Sequence, residues 1–171
     1  MIVLTYIFRF IWFIALILIQ VLIGNNFCLG GYATPFIYIY FILKLDADAS
    51  RNSLMLWAFA LGFIIDVFSN TLGMNTAAVV LLAFFRPPLL NLFVSHDITD
   101  LHIPSAQTMG RISYWKYILT SIFIHHSILF SLAFFSFSNT AGLLLRILTS
   151  SLITFVCIIA IDAIRGIRKR K

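Results

Sequence analysis

The chain has 171 residues, of which 61% are hydrophobic and only 11% are charged, and its mean hydropathy is +1.02. This composition excludes a soluble globular domain, in which about a quarter of the residues are charged, and predicts an integral membrane protein. The formal net charge is +6, but the basic residues lie between hydrophobic runs and at the C-terminus, which argues against a nucleic-acid partner and for membrane topology.

Six apolar runs follow one another along the chain. A spanning helix needs about 20 apolar residues, so six spans would use roughly 120 residues and leave only short connectors. The sequence therefore predicts one all-α, polytopic membrane domain over residues 1–171. The runs are residues 2–23, 32–45, 54–69, 74–94, 114–137 and 141–164.

The first run is predicted to remain as a span. It lacks the charged opening and the small-residue cleavage site of a signal peptide. Arg9 lies near its start and Gln20 near its far end, and both are predicted to anchor the helix at the membrane interfaces.

Prolines mark the second and the fourth runs. Residues 32–45 form a short, aromatic-rich run with Pro35 in its first turn, where proline is tolerated, and a locally thin bilayer would let this run span. In the fourth run, Arg86 is followed by Pro87 and Pro88, and such a pair ends or kinks a helix. The sequence favours an end of the fourth span near Arg86 over a bent continuation.

Lysine and arginine lie in the loops after the second and fourth runs and at the C-terminus, whereas the connectors at residues 24–31, 70–75 and 138–140 carry none. Because loops rich in Lys and Arg stay in the cytoplasm, the sequence predicts six spans with both termini cytoplasmic. The basic tail is placed to contact anionic lipid headgroups, worth about 1 kcal/mol per residue near the surface. The tail residues are Arg165, Arg168, Lys169, Arg170 and Lys171.

The stretch at residues 61–75, LGFIIDVFSNTLGMN, carries one aspartate, Asp66, in an otherwise apolar helix. A charge at mid-helix costs about 2.5 to 3.5 kcal/mol on insertion scales, so Asp66 needs a partner. The predicted topology places Arg146 of the sixth run at the same depth. We expect Asp66 and Arg146 to pair, and the residues leave open whether such a pair is packing alone or part of a partner surface.

Both residues lie on stripes of small and polar side chains that recur every three or four positions on one helix face. Small residues let helices approach closely, so both stripes are expected to face protein. On the third run the stripe is Ala58, Gly62, Asp66 and Asn70, and on the sixth it is Gly142, Arg146, Ser150, Thr154 and Cys157.

His125 and His126 are adjacent near the middle of the fifth run. Adjacent helical residues point roughly 100° apart, so the two are not expected to share a metal ion. Hydrogen bonds to a hydroxyl such as that of Ser121 and to a neighbouring helix are expected instead. The chain has no glutamate, which argues against a proton relay, and no nucleophile, phosphate-binding or zinc-binding motif. The sequence therefore predicts neither an enzyme nor a cofactor.

Several of these features together resemble the MreD family of rod-shape-determining inner-membrane proteins. Gln20 lies near the outer end of the first span and Pro35 opens the second. The most specific feature is a Gly-x-x-x-Asp pattern followed by Leu-Gly, and the chain length, the six spans and the basic tail agree with the family. The residues of that pattern are Gly62, Asp66, Leu72 and Gly73.

The resemblance implies a non-enzymatic scaffold that maintains cell shape from the bacterial cytoplasmic membrane. Its implied partners are MreC, MreB, RodA and the elongation-specific transpeptidase, so that it would link cytoplasmic filaments to peptidoglycan synthesis. The family is also similar in fold to the substrate-binding subunits of energy-coupling-factor vitamin transporters. The alternative function is therefore a vitamin-binding subunit whose pocket opens outward near Asp66, Asn70, Asn75 and Arg146.

Overall fold

The computed structural model describes residues 2–28, 30–94, 102–134 and 140–168. These residues form an all-helical fold without a strand, and five of their helices are long and apolar enough to cross a membrane. The predicted all-α, multi-pass membrane protein is confirmed at this level. The five helices are α1 (Ile2–Leu22), α3 (Arg51–Ser69), α4 (Met74–Phe93), α5 (Arg111–Ala133) and α6 (Thr140–Arg168), whereas α2 (Ile39–Leu43) and a 3₁₀ helix (Gly24–Asn26) are short.

The long helices from α3 to α6 pack in chain order, each against the next, and α1 packs against α3. Each long helix turns one face inward and leaves apolar side chains on the other. On α3, for example, Ala58 and Leu61 are buried while Leu56 and Phe59 are exposed. Helices that are apolar on both faces are typical of a bundle surrounded by lipid.

The predicted second span is not a continuous helix. Within residues 32–45, which we call the crossing segment, the α-helix is limited to Ile39–Leu43. A helix over the whole run would be about 21 Å long, shorter than the hydrocarbon core of about 30 Å, whereas a partly extended backbone covers that distance. Among the described residues, the prediction of six spanning helices is therefore corrected to five helices long and apolar enough to span, with residues 32–45 forming an irregular segment.

The crossing segment runs along the bundle beside α6. At one end the Tyr32 carbonyl accepts a hydrogen bond from Ser150 Oγ (3.3 Å), and at the other Lys44 Nζ lies 3.1 Å from Asp162 Oδ1. Residues 37–43 are all buried. Irregular backbone at membrane depth is tolerated only where protein surrounds it, so this burial is a condition of the fold.

The bundle has two chemically different ends. At the end that we call the corner end, Asn25 Nδ2 donates to Ser69 Oγ (2.6 Å), beside the turn between α3 and α4. At the basic end, Arg9 pairs with Asp46, and the Arg165 guanidinium lies 4.3 Å from the ring centre of Trp12. Helix α1 thus begins, and α6 ends, at the basic end, which the charge distribution predicts to be cytoplasmic.

Helix α4 continues through Pro87 and Pro88, so the predicted end of the fourth span near Arg86 is wrong. Ala83, Arg86 and Leu90 are buried on one face of α4, and packing of that face outweighs a cost of about 3 kcal/mol for a proline in a helix interior. The Arg86 guanidinium is fully buried and donates to the backbone carbonyls of Leu45 and Asp46. Arg86 therefore fixes the end of the crossing segment.

Candidate functional site

The turn between α3 and α4 is built by two residues in the left-handed backbone region. Asn70 ends α3 with a φ of 51°, and its N–H donates to the Asp66 carbonyl. Gly73 precedes α4 with a φ of 78°, a backbone conformation that residues other than glycine rarely adopt. These two residues reverse the chain within a few positions and place the start of α4 against the end of α3.

The Asp66 carboxylate caps α4 from the side of α3. Its Oδ1 accepts hydrogen bonds from Asn75 N (3.1 Å), Asn75 Nδ2 (2.9 Å) and the Thr71 hydroxyl. Its Oδ2 accepts from Thr76 N (2.8 Å) and Thr76 Oγ1 (2.6 Å). The first N–H groups of a helix have no partner within the helix and attract negative charge. Asp66 supplies both the acceptor and the charge, which offsets the cost of its burial.

The predicted ion pair between Asp66 and Arg146 is wrong. Among the residues that the structure describes, Asp66 forms no ion pair, and its donors come from the corner itself. The Arg146 guanidinium instead lies 5.2 Å from the ring centre of Tyr32 and 5.1 Å from that of Phe134. Two aromatic faces stabilise this cation, so both charges are satisfied separately.

Gly62 permits the close contact of α3 and α4 below the corner. A Cβ added at this position would lie 2.5 Å from Thr76 Cα and 2.8 Å from Thr76 N. Backbone atoms cannot move out of the way as a flexible side chain can. The predicted role of Gly62 in close helix approach is therefore borne out by its contact with α4.

We expect Gly62→Ala to destabilise the protein by about 2 kcal/mol, because the added methyl group forces α3 and α4 apart. For a chain of this size the thermal midpoint would fall by roughly 6 °C, measured by unfolding the purified protein in detergent. Val67→Ala, on the exposed face of α3, is the matched control and should shift the midpoint by less than about 2 °C. An unchanged midpoint for Gly62→Ala would contradict the contact.

Leu72 differs in its surroundings from Gly62 and Asp66, the residues that precede it in the Gly-x-x-x-Asp and Leu-Gly pattern. Gly62 and Asp66 are buried, whereas the Leu72 side chain is 94% exposed at the tip of the turn. The structure thus brings Gly62, Asp66, Asn70 and Gly73 together as the frame of the corner, with Leu72 projecting from it. Arg146 lies at the same end of the bundle but outside this frame.

A chain of hydrogen bonds leads from the corner into the bundle. Asn75, which donates to Asp66, accepts from the Tyr38 hydroxyl (3.1 Å), and that hydroxyl lies 2.8 Å from His125 Nε2. Tyr38 and His125 are fully buried. Sequence reasoning missed Tyr38 because it is one of several tyrosines in an aromatic-rich run, and no spacing in that run distinguishes it.

The two histidines have different partners, and Ser121 is not among the partners of either. His126 Nδ1 lies 2.8 Å from the Ile122 carbonyl, and His126 Nε2 lies 3.2 Å from Thr154 Oγ1 of α6. The expected hydrogen bond to a neighbouring helix therefore exists for His126, through Thr154 of α6. His125 is bonded to a hydroxyl, but to that of Tyr38 in the crossing segment and not to that of Ser121. In the described part of the chain, no group of three or more His, Cys, Asp or Glu side chains is placed to hold a metal ion.

The prediction that Gln20 anchors α1 at the membrane interface is wrong. It is fully buried and not an interfacial anchor. Its Oε1 accepts from Ile37 N (2.7 Å), and its Nε2 donates to the Pro35 carbonyl (3.0 Å). Gln20 thus forms hydrogen bonds with backbone groups of the crossing segment that have no partner within a helix.

The polar stripe on α6 serves the same segment from the other side. Thr34 N donates to Ser150 Oγ (3.1 Å), and Phe36 N donates to Thr154 Oγ1 (3.0 Å). Ser150 and Thr154 are fully buried. The expectation that this stripe faces protein is confirmed at these two positions.

Two of the five residues predicted to contact lipid headgroups, Arg165 and Arg168, lie in the last turn of α6. Arg165 is partly buried at the basic end, and Arg168 is the last residue of the helix. Lys169, Arg170 and Lys171 lie outside the described residues. Of these five residues, Arg165 is the one whose side-chain surroundings the structure describes.

Comparisons of this chain with protein-family models, with curated proteins and with solved structures found no significant match. The role of the corner is therefore derived from its own geometry. Asp66, Thr71, Asn75 and Thr76 use their polar side-chain atoms on one another. Such an arrangement holds two helices at a fixed angle and presents the turn between them.

Proposed function

We propose that this protein is a non-enzymatic membrane scaffold of the bacterial cell-elongation machinery, as its resemblance to the MreD family implies. It would lie in the cytoplasmic membrane with both termini in the cytoplasm, and it would link MreC and MreB to RodA and the elongation transpeptidase. The observation that supports this proposal most is that the residues of the family pattern have two different roles. Gly62 and Asp66 stabilise the corner, and Leu72 is exposed on it.

An exposed leucine on a braced turn is suited to binding another membrane protein. Leu72 contributes little to the packing of this chain, and Phe68, in the last turn of α3, is also exposed. Burying apolar surface against a partner is favourable by about 25 cal/mol per Å². The braced turn also loses little conformational freedom on binding, which favours affinity. The single membrane span of a bitopic MreC is the partner that the resemblance provides.

The alternative, a vitamin-binding subunit, needs an outward pocket near Asp66, Asn70, Asn75 and Arg146. The polar atoms of Asp66 and Asn75 are engaged with their neighbours, and a cavity of about 950 Å³ lies at the basic end, away from these residues. We therefore propose the likeness to energy-coupling-factor subunits as one of architecture alone.

Depletion of the protein from its rod-shaped host tests the proposal. We expect cells to become round, and the protein to co-purify with MreC from cells that express it. Leu72→Ser should lose both MreC and the ability to restore rod shape while the protein stays at its normal level in the membrane. Leu22→Ser, an exposed leucine on α1, is the matched control and should restore rod shape. Depleted cells that stay rod-shaped while vitamin uptake falls would show the first proposal to be wrong.

A further inference from the structure

A cavity of about 950 Å³ opens at the basic end, between α1, α6 and the residues that precede α5. Its wall on the helix side is apolar and aromatic, and it includes Phe8 and Ile159, which are exposed on the outside of the bundle. The cavity therefore reaches the surface where lipid chains lie. The wall residues are Phe8, Trp12, Leu16, Trp115, Ile159 and Ala163.

The side of the cavity formed by residues 102–108, which we call the roof, is polar and is bonded to Lys44 of the crossing segment and to Ala47, two residues after it. The His102 carbonyl accepts from Ala47 N (2.8 Å), and the Pro104 carbonyl accepts from Lys44 Nζ (3.0 Å). Residues 105–108 form a compact turn in which Thr108 N donates to Ser105 Oγ (3.1 Å). An apolar wall below a polar roof matches an amphiphile and not a uniformly polar solute.

The charges around the cavity leave an excess of positive charge. The lining holds four basic side chains and two aspartates. Asp46 pairs with Arg9, and Asp162 pairs with Lys44 while also accepting from the hydroxyls of Tyr40 and Tyr114. Both carboxylates are therefore satisfied within the chain. The two remaining cations are Arg111 and Arg165.

Arg111 and Arg165 are positioned for an anion at the level of the membrane interface. Among the described residues, neither forms an ion pair. The Arg165 guanidinium is held over the Trp12 ring and donates to the Tyr40 hydroxyl (3.3 Å), and Arg111 is exposed at the edge of the roof. Tryptophans such as Trp12 and Trp115 are enriched at the headgroup level of a bilayer.

We propose that this cavity binds one anionic phospholipid from the leaflet at the basic end. Its headgroup phosphate lies between Arg111 and Arg165 beneath the roof, where arginine can form charge-assisted hydrogen bonds to phosphate. The upper part of its acyl chains lies on the wall formed by Phe8, Trp12 and Ile159. Ligand sites measure about 300 to 1,000 Å³, so the volume suits a phosphoglycerol headgroup with part of its chains. The site is independent of the proposed scaffold function.

Native mass spectrometry of the full chain tests the site. The protein is kept in detergent that contains equal amounts of phosphatidylglycerol and phosphatidylcholine, and the lipid that remains bound after release from the detergent is identified. We expect one phosphatidylglycerol to be retained in preference to phosphatidylcholine. The double variant Arg111→Gln with Arg165→Gln should lower that preference roughly 30-fold, as two basic residues near the surface would supply it. Arg51→Gln is a matched control, because Arg51 lies at the basic end but outside the cavity, with its guanidinium over Phe84. Arg170→Gln controls for the basic tail.

A second measurement does not depend on the arginine variants. Phosphatidylglycerol with brominated acyl chains should quench the fluorescence of the protein more than brominated phosphatidylcholine does. The quenching should persist in Trp57→Phe, because Trp57 does not line the cavity, and be lost when Trp12 and Trp115 are both replaced by Phe.

Three results would overturn the proposal. Equal loss of lipid in Arg51→Gln or Arg170→Gln would mean that surface charge alone attracts the lipid. Displacement of the bound lipid by inorganic phosphate would assign the site to a soluble anion. Absence of any retained phosphatidylglycerol, with no selective quenching, would mean that the cavity holds no anionic lipid.

Discussion

Asp66→Ala is expected to destabilise the protein by about 3 kcal/mol, more than the loss of an ordinary helix cap. The change leaves the N–H groups of Asn75 and Thr76 without their acceptor and removes the negative charge at the start of α4. Asp66→Asn keeps one acceptor oxygen and should cost about half as much. Thermal unfolding in detergent and the amount of protein in the membrane measure both. Asp48→Ala, at an exposed aspartate, is the matched control and should change neither.

A double-mutant cycle identifies the partner of Asp66. Thr76→Val removes a hydroxyl that donates to Asp66 Oδ2 at 2.6 Å, so its effect should be smaller in the Asp66→Ala background by roughly 1 kcal/mol. Arg146→Ala should add to Asp66→Ala without coupling, because Arg146 packs on Tyr32 and Phe134. Coupling of Asp66 with Arg146, and none with Thr76, would restore the ion pair that the sequence suggested and contradict the corner.

The long helices could be predicted from the sequence because lipid imposes a strong pattern on them. The apolar run at residues 74–94 corresponds to α4, Met74–Phe93, and the run at 54–69 to most of α3, Arg51–Ser69. The need of Asp66 for partners was also predictable, since a buried carboxylate is costly anywhere in a bilayer. The identity of those partners was not predictable, because shared depth says nothing about which helix faces which. The actual donors lie five to ten positions along the chain, across a turn whose geometry Asn70 and Gly73 set.

The crossing segment marks the limit of hydropathy as a guide. Residues 32–45 are apolar, and hydropathy does not separate a spanning helix from an irregular segment enclosed by protein. An irregular segment needs side chains elsewhere in the protein that form hydrogen bonds with its backbone, and these side chains are distant in sequence. They are Gln20 on α1, Arg86 on α4, and Ser150 and Thr154 on α6. Each of these residues is a polar group within an apolar helix. Such groups point to buried irregular backbone as readily as to a functional centre.

Gln20→Leu is expected to destabilise the protein by about 4 kcal/mol, because two buried backbone groups lose their partners at membrane depth. The Ile37 N–H would lose its acceptor and the Pro35 carbonyl its donor, and a leucine side chain can replace neither. Within the protein, water does not reach these groups to compensate. Thermal unfolding in detergent gives the magnitude, and Leu18→Met, at an exposed position on α1, is the control that should stay near the wild-type midpoint.

Hydrogen exchange localises the effect of Gln20→Leu. The amides of Ile37 and Tyr38 should exchange faster than in the wild type, since both face Gln20 Oε1 (2.7 and 3.4 Å), while the amides of Asn75 and Thr76 keep their protection by Asp66. Local opening of the crossing segment would then be separable from global unfolding, in which all four amides exchange together. If the Ile37 amide remains as protected as in the wild type, Gln20 does not stabilise the backbone of the crossing segment. Helix packing alone would then have to hold the segment in place.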